Sequence, residues 1–215
     1  LLAIGFIGNP LSYLVYSRSF FSKTSTGLYL RALCITDTIV VSESFYIFLL
    51  NAFNIRTFDA NMPFCKMFFY ILYFSVASSA WIESIVLVDR LLTVTYPTKF
   101  NALSRPRVQL TLVSFIIIYN LVSYLPILIF YNLFKIDSQY STTSSPTNSF
   151  YFTLNFSSLM NKSESNEIVY VCQGLGDFLA VFSYFDMLNS TISPFLIMTF
   201  SSCLIIRNLQ KSRKS

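Results

Sequence analysis

A handful of acids and one arginine stand inside otherwise apolar stretches of this 215-residue chain, and they are its candidates for chemistry. Asp37, Glu43, Glu83 and Asp186 each interrupt such a stretch, and Asp89-Arg90 closes another. Asn9 and Ser79 add neutral polar groups in similar surroundings. A charge held in lipid costs several kcal/mol unless it is paired, so residues of this kind are functional candidates before they are packing residues. The chemistry open to them is ion pairing, hydrogen bonding and binding of a polar ligand. Catalysis is not expected. The chain has no histidine, which removes the commonest general base and most zinc sites. Its four cysteines form no CxxC pair, and no carboxylate pair matches an intramembrane enzyme.

The elements that position these residues are membrane spans. Hydrophobic residues make up 54% of the chain and charged residues only 12%, against about 25% charged in a soluble domain. A bilayer core about 30 Å thick needs about 20 apolar residues of helix. Five stretches meet or approach that length, at residues 1–17, 27–50, 64–94, 108–134 and 177–206. The first is slightly short. The expected fold class is an all-α membrane protein, a bundle of five transmembrane helices, because lipid leaves no partner for unpaired backbone groups.

Loop charge orients the bundle. The segments near 18–31, 90–107 and 207–215 hold eleven of the fifteen basic residues and a single acid, Asp89. That side is expected in the cytoplasm, with the start of the chain outside and the protein in the plasma membrane. The net charge of +5 is thereby a topology signal, and nucleic acid is not an expected partner. The long connection 135–176 then falls outside. It is rich in Ser, Thr and Asn and carries two glycosylation acceptors, Asn155-Phe-Ser and Asn161-Lys-Ser. Cys65 and Cys172 also fall on the oxidising side, where a disulfide would tie the third span to the long loop. Two free outer thiols are the alternative.

Spacing joins these features. Asn9 and Asp37 lie 28 residues apart, and Cys65 and Arg90 lie 25 apart with Pro97 seven further on. Twenty-five residues of helix run about 37 Å, from one face of a membrane to the other. With Gly8-Asn9, Leu33-Cys-Ile-Thr-Asp37, Trp81, Asp89-Arg90-Leu91, Pro97, Pro126 and Pro194, the chain resembles rhodopsin-type (class A) G-protein-coupled receptors. The resemblance covers essentially the whole chain and assigns its spans to helices one to five of a seven-helix receptor.

That resemblance implies a mechanism. Arg90 would be held at rest by Asp89 and released on activation towards a heterotrimeric G protein; the plain alternative is a pair marking the membrane boundary. Asp37 and Ser79, with Asn9 nearby, resemble the family's sodium pocket, and a hydrogen-bonded packing node without an ion is the alternative. No other cofactor is implied. Glu43 and Asp186, towards the outer half, would face a ligand cavity, whereas Glu83 is expected as an internal polar contact. Aminergic relatives place an aspartate seven residues after the helix-three cysteine; here that residue is Leu72, which argues against an amine. The long outer loop fits an extracellular peptide, such as a neuropeptide, better.

Departures accompany the resemblance. Leu91 replaces the tyrosine of the Asp-Arg-Tyr motif, helix four lacks a tryptophan, and Ser202 stands where a supporting tyrosine is usual. The motifs of helices six and seven are absent, so the chain is expected to be the front part of a longer receptor. A transporter or channel subunit is the rival reading, and it predicts inverted repeats that the sequence lacks.

Overall fold

Because lipid supplies no hydrogen-bond partner, each apolar run has to close its backbone bonds within itself, and the runs do so as helices. The computed structural model describes residues 2–18, 26–53, 62–95, 106–136, 169–174 and 176–214. Its helices are α1 (Leu2–Tyr16), α2 (Gly27–Phe53), α3 (Met62–Thr95), α4 (Pro106–Ser123) and the short α5 (Pro126–Phe130). Strands β1 (Tyr131–Ile136) and β2 (Val169–Gly174) follow. The last span consists of α6 (Gly176–Asp186), a π-helical turn (Met187–Ile192) and α7 (Ser193–Lys214). Four of these segments are long and apolar enough to cross a membrane: Gly27–Leu50, Met62–Thr95, Pro106–Phe130 and Phe178–Gln210. With the shorter α1 they form an all-α, multi-pass membrane bundle.

Its surface is apolar, as a lipid-facing surface must be: Ile4, Phe115 and Val181 are each at least two-thirds exposed. The interior is unusually small and polar. The buried residues of α3 include Ser75, Ala77, Ser78 and Ser84, whose short side chains let neighbouring helices approach closely. Two apolar clusters flank that centre. One, towards the Cys65 end, joins Ala77, Tyr124, Ile127, Tyr131 and Phe182. The other, towards the Arg90 end, joins Tyr29, Ile82, Val113 and Ile116.

The fourth span departs from the expected 108–134. Pro126 has no N–H and cannot continue α4, so the chain turns at Tyr124–Leu125 and restarts with the proline at the head of α5. Leu125 N–H bonds the Val122 carbonyl at 3.2 Å, and the Leu121 carbonyl instead accepts the Tyr70 hydroxyl from α3 at 2.9 Å. The helix then ends at Phe130, and residues 131–134, read as membrane helix, are strand. Their apolarity serves an inward contact: Tyr131 is buried with its ring 5.2 Å from that of Phe69 on α3. β1 pairs antiparallel with β2, Tyr131 opposite Gly174 and Leu133 opposite Cys172. The connection expected as loop from 135 to 176 therefore begins and ends in a β-ribbon. Asn155, Asn161 and Pro97 lie outside the described residues.

Candidate functional site

Two acids of α2 each meet a serine of α3. Ser75 Oγ lies 2.9 Å from Glu43 Oε2 and 3.0 Å from the Leu72 carbonyl, and both Ser75 and Glu43 are buried. Below that pair, Ser79 Oγ donates to Asp37 Oδ1. The register explains the match. Ser75 and Ser79 are one turn apart on one helix face, and they meet acids whose helix runs antiparallel to theirs. Asn9, on α1, is half-buried and makes no side-chain hydrogen bond among the described residues. Glu83 differs from its expected internal role: its side chain is exposed and makes no hydrogen bond among the described residues.

At the other end of α3, adjacent residues part company. Successive helical positions do not face each other, so Asp89 turns inward, 1% exposed, and Arg90 turns outward. Arg90 Nη2 donates to Thr26 Oγ1 at 2.9 Å, at the head of α2. Asp89 and Arg90 form no ion pair among the described residues, and Asp89 Oδ2 is buried without a hydrogen-bond partner. The Tyr29 hydroxyl, close enough to feel the Asp89 charge, is likewise unbonded.

Asp186 belongs to a third polar group. Its Oδ1 accepts the Tyr124 hydroxyl at 2.8 Å. Asn189, one turn on, donates from Nδ2 to that same hydroxyl oxygen and to Asn120 Oδ1, both at 3.3 Å. Its Oδ1 accepts Trp81 Nε1–H at 3.3 Å and the Tyr119 hydroxyl at 3.1 Å. Asn120 and Tyr124 are fully buried, and Asn189 nearly so. Around the Tyr124 ring pack Tyr73 at 6.1 Å, Phe182 at 5.9 Å and Phe185 at 6.1 Å. Asn189 begins an Asn-x-Thr triplet, but buried in a span it has no room for a glycan.

Cys65 is fully buried near the Cys65-end cluster. An apolar groove of about 510 Å³ opens between α1 and α2, lined by residues including Pro10, Tyr13, Cys34 and Ile39. Neither Glu43, Asp186 nor Leu72 lines it. Among the described residues no cluster of three His, Cys, Asp or Glu side chains could hold a metal.

Residues 2–155 match the family model described as serpentine type 7TM GPCR chemoreceptor Srsx. The chain belongs to this chemoreceptor family. The matched stretch runs from α1 past β1, so it contains Asp37, Cys65 and Asp89-Arg90, while Asp186 and Asn189 lie beyond it. No curated protein matches the chain. As an Srsx receptor, this protein has partners for its membrane acids that spacing alone did not identify. Thr26, Ser75 and the Asn120–Tyr124–Asn189 group were missed, since Ser, Thr and Tyr are common within spans. Their signal was present only as polar residues at turn spacing, Ser75 and Ser79 on α3, Asn120 and Tyr124 on the fourth span, and Asp186 and Asn189 on the last.

Proposed function

We propose that this chain acts as a rhodopsin-type chemoreceptor with an arginine switch at Arg90, oriented with its Cys65 end outside the cell and its Arg90 end in the cytoplasm. The observation that carries the reading is the environment of Arg90. Among the described residues its guanidinium, exposed near the end of α3, rests on the neutral Thr26 hydroxyl and on no acid. A guanidinium held by a single neutral acceptor exchanges partners at low cost, which suits transfer to a heterotrimeric G protein. Asp89, buried beside it, supplies the compensating charge, and Leu91 occupies the third position of the motif.

The remaining assignments follow the same reading. A Cys65–Cys172 disulfide ties α3 to β2: Cys65 is disulfide-bonded, while Cys34 and Cys203 are free thiols. Asn155 and Asn161 carry the glycans of the outer loop. Asp37 and Ser79 offer a carboxylate and a hydroxyl oxygen, a donor set that fits a hard cation such as sodium. Glu43, Leu72 and Asp186 line the route of an extracellular ligand. The family's description names a chemical cue, and the Ser/Thr/Asn-rich outer loop favours a peptide as that cue over an amine.

Arg90→Ala in the receptor at the cell surface tests the core of the proposal. G-protein activation by an agonist extract is expected to fall by more than tenfold while surface expression stays unchanged. Coupling equal to the parent's would refute the role given to Arg90. A substrate-dependent current or uptake in its place would favour the transporter reading.

A further inference from the structure

The last span changes register at the π-helical turn, and burial records the change. In α6 and the turn, the inward residues Phe182 and Asn189 are seven apart. In α7, Pro194, Ser201 and Asn208 are again seven apart: Pro194 and Ser201 are buried, and Asn208 Nδ2 donates to Thr95 Oγ1 of α3 at 2.7 Å. Between the two series the interval is only five residues, from Asn189 to Pro194. An unbroken α-helix would continue the upper series to Leu196 and Cys203. Both point outward: Leu196 is 60% exposed and Cys203 is exposed. The π turn, closing its backbone bonds i to i+5, absorbs one extra residue and swings the lower series back onto the α3 face.

A π turn is less favourable than an α turn and persists where tertiary contacts hold it. Asn189 supplies them. It sits inside the turn with both lone pairs and both amide hydrogens engaged, by Trp81, Tyr119, Asn120 and Tyr124. The direction of every bond is fixed. Trp81 Nε1 can only donate, so Asn189 Oδ1 must face it and Nδ2 must face Tyr124. Tyr124 accepts from Nδ2 and therefore passes its own proton to Asp186. Two neighbouring helices, α3 and α4, and the Tyr124 turn that follows α4 are pinned to the π turn by one carboxamide.

We propose that Asn189 is the positioning residue that selects the π register of the last span, and that loss of its hydrogen bonds resets the turn to α and rotates α7. One residue of α-helix corresponds to about 100°. With α6 held by Phe182 and the aromatic cluster, such a rotation turns Phe200, now 66% exposed, towards α3. Cys203 moves from the lipid side to the flank of the bundle, and Pro194, Ser201 and Asn208 leave their contacts. Because α7 reaches the Arg90 end of the bundle, the register would decide which of its faces stands beside the proposed coupling site. That consequence rests on the orientation and coupling proposed above; the register itself does not.

Cys203 makes the register measurable without any ligand. In a Cys34→Ala background, a nitroxide attached to Cys203 of the full chain in lipid nanodiscs reports its surroundings. The parent label is expected to be mobile and accessible to oxygen in the lipid. Asn189→Leu is expected to immobilise the label and lower its oxygen accessibility at least threefold. Asn189→Asp, which keeps only the accepting half of the network, is expected to give a mixture of both spectra. A parent-like spectrum in folded Asn189→Leu overturns the proposal. If Asn189→Leu fails to fold, Tyr124→Phe decides: it keeps the ring and removes one hydroxyl. A second, immobilised component in Tyr124→Phe supports the pin, and a purely parent-like spectrum overturns it. Arg90→Ala should leave every one of these spectra unchanged, which separates this inference from the coupling mechanism.

Discussion

An acid survives in a lipid-embedded helix by finding a hydroxyl on its neighbour, and this protein does so three times. Glu43 meets Ser75, Asp37 meets Ser79, and Asp186 meets Tyr124. The three cases differ in how much support surrounds the pair. Glu43 depends on Ser75 alone among the described hydrogen bonds, and both side chains are buried, so removing the hydroxyl leaves the carboxyl group without a partner. An unsatisfied buried polar group costs about 1–3 kcal/mol. Ser75→Ala is therefore expected to lower thermal stability in detergent by that amount, whereas Glu43→Gln, which keeps a hydrogen-bonding group there, should cost less. The ranking of the two melting temperatures checks it, and Ser75→Ala melting at or above Glu43→Gln would contradict the pairing. The acids themselves were legible in the sequence, because charge in an apolar run is conspicuous. Their partners were less so: of the three hydroxyls only Ser79 was singled out, since a serine or tyrosine inside a span reads the same whether or not it meets an acid. Glu83, expected inside, is exposed: two turns along α3 from Ser75 the drift of about 40° per four residues has accumulated, and the Ser75–Ser79 face no longer includes it.

At the scale of elements, length and hydropathy located the spans, while their interruptions depended on contacts between them. Pro126 was visible, but the break at Tyr124–Leu125 is completed by Tyr70 reaching over from α3. The strand at 131–136 was hidden for a similar reason: its apolar residues serve a tertiary contact, and composition alone cannot tell such a run from the tail of a membrane helix. The π turn left no compositional mark at all, and only the change in buried spacing from seven to five reveals it. The pairing of α1 with α2 gives a sharper test, since two glycines one turn apart are in opposite situations. A Cβ on Gly5 would lie 2.9 Å from Val41 Cγ2, and the stiff β-branched Val41 has little freedom to yield. A Cβ on Gly8 would meet nothing within 4 Å. Replacing glycine by alanine within a helix gains about 1 kcal/mol where space allows, and overpacking costs about 1–3 kcal/mol. Gly8→Ala should thus melt at or above the parent temperature and Gly5→Ala below Gly8→Ala. Equal melting temperatures for the two variants would mean that α1 and α2 do not approach closely at Gly5.

For the whole molecule, membership of a seven-helix chemoreceptor family and the bundle itself leave one question that sequence and geometry address by different routes: which end faces the cell exterior. Eleven of the fifteen basic residues cluster on the segments at the Arg90 end, and a charge bias of this kind normally keeps such segments in the cytoplasm. Cys65 lies at the opposite end of α3, beside the β-ribbon into which the connection 137–168 returns. If that end is outside, the acceptors Asn155 and Asn161 enter the secretory lumen during synthesis and are glycosylated, and a thiol pair there is oxidised. Treatment of the expressed receptor with an amidase that removes N-linked glycans should shift its electrophoretic mobility. Asn155→Gln and Asn161→Gln together should abolish the shift, each alone reducing it. Asn189→Gln should leave it intact, because Asn189 is buried within the last span. An impermeant maleimide applied to intact cells should fail to label a cysteine placed at Ser212 and should label it after permeabilisation. Labelling of that cysteine in intact cells, with no glycan on the loop, would invert the bundle, move Arg90 to the exterior and remove the basis for coupling through it.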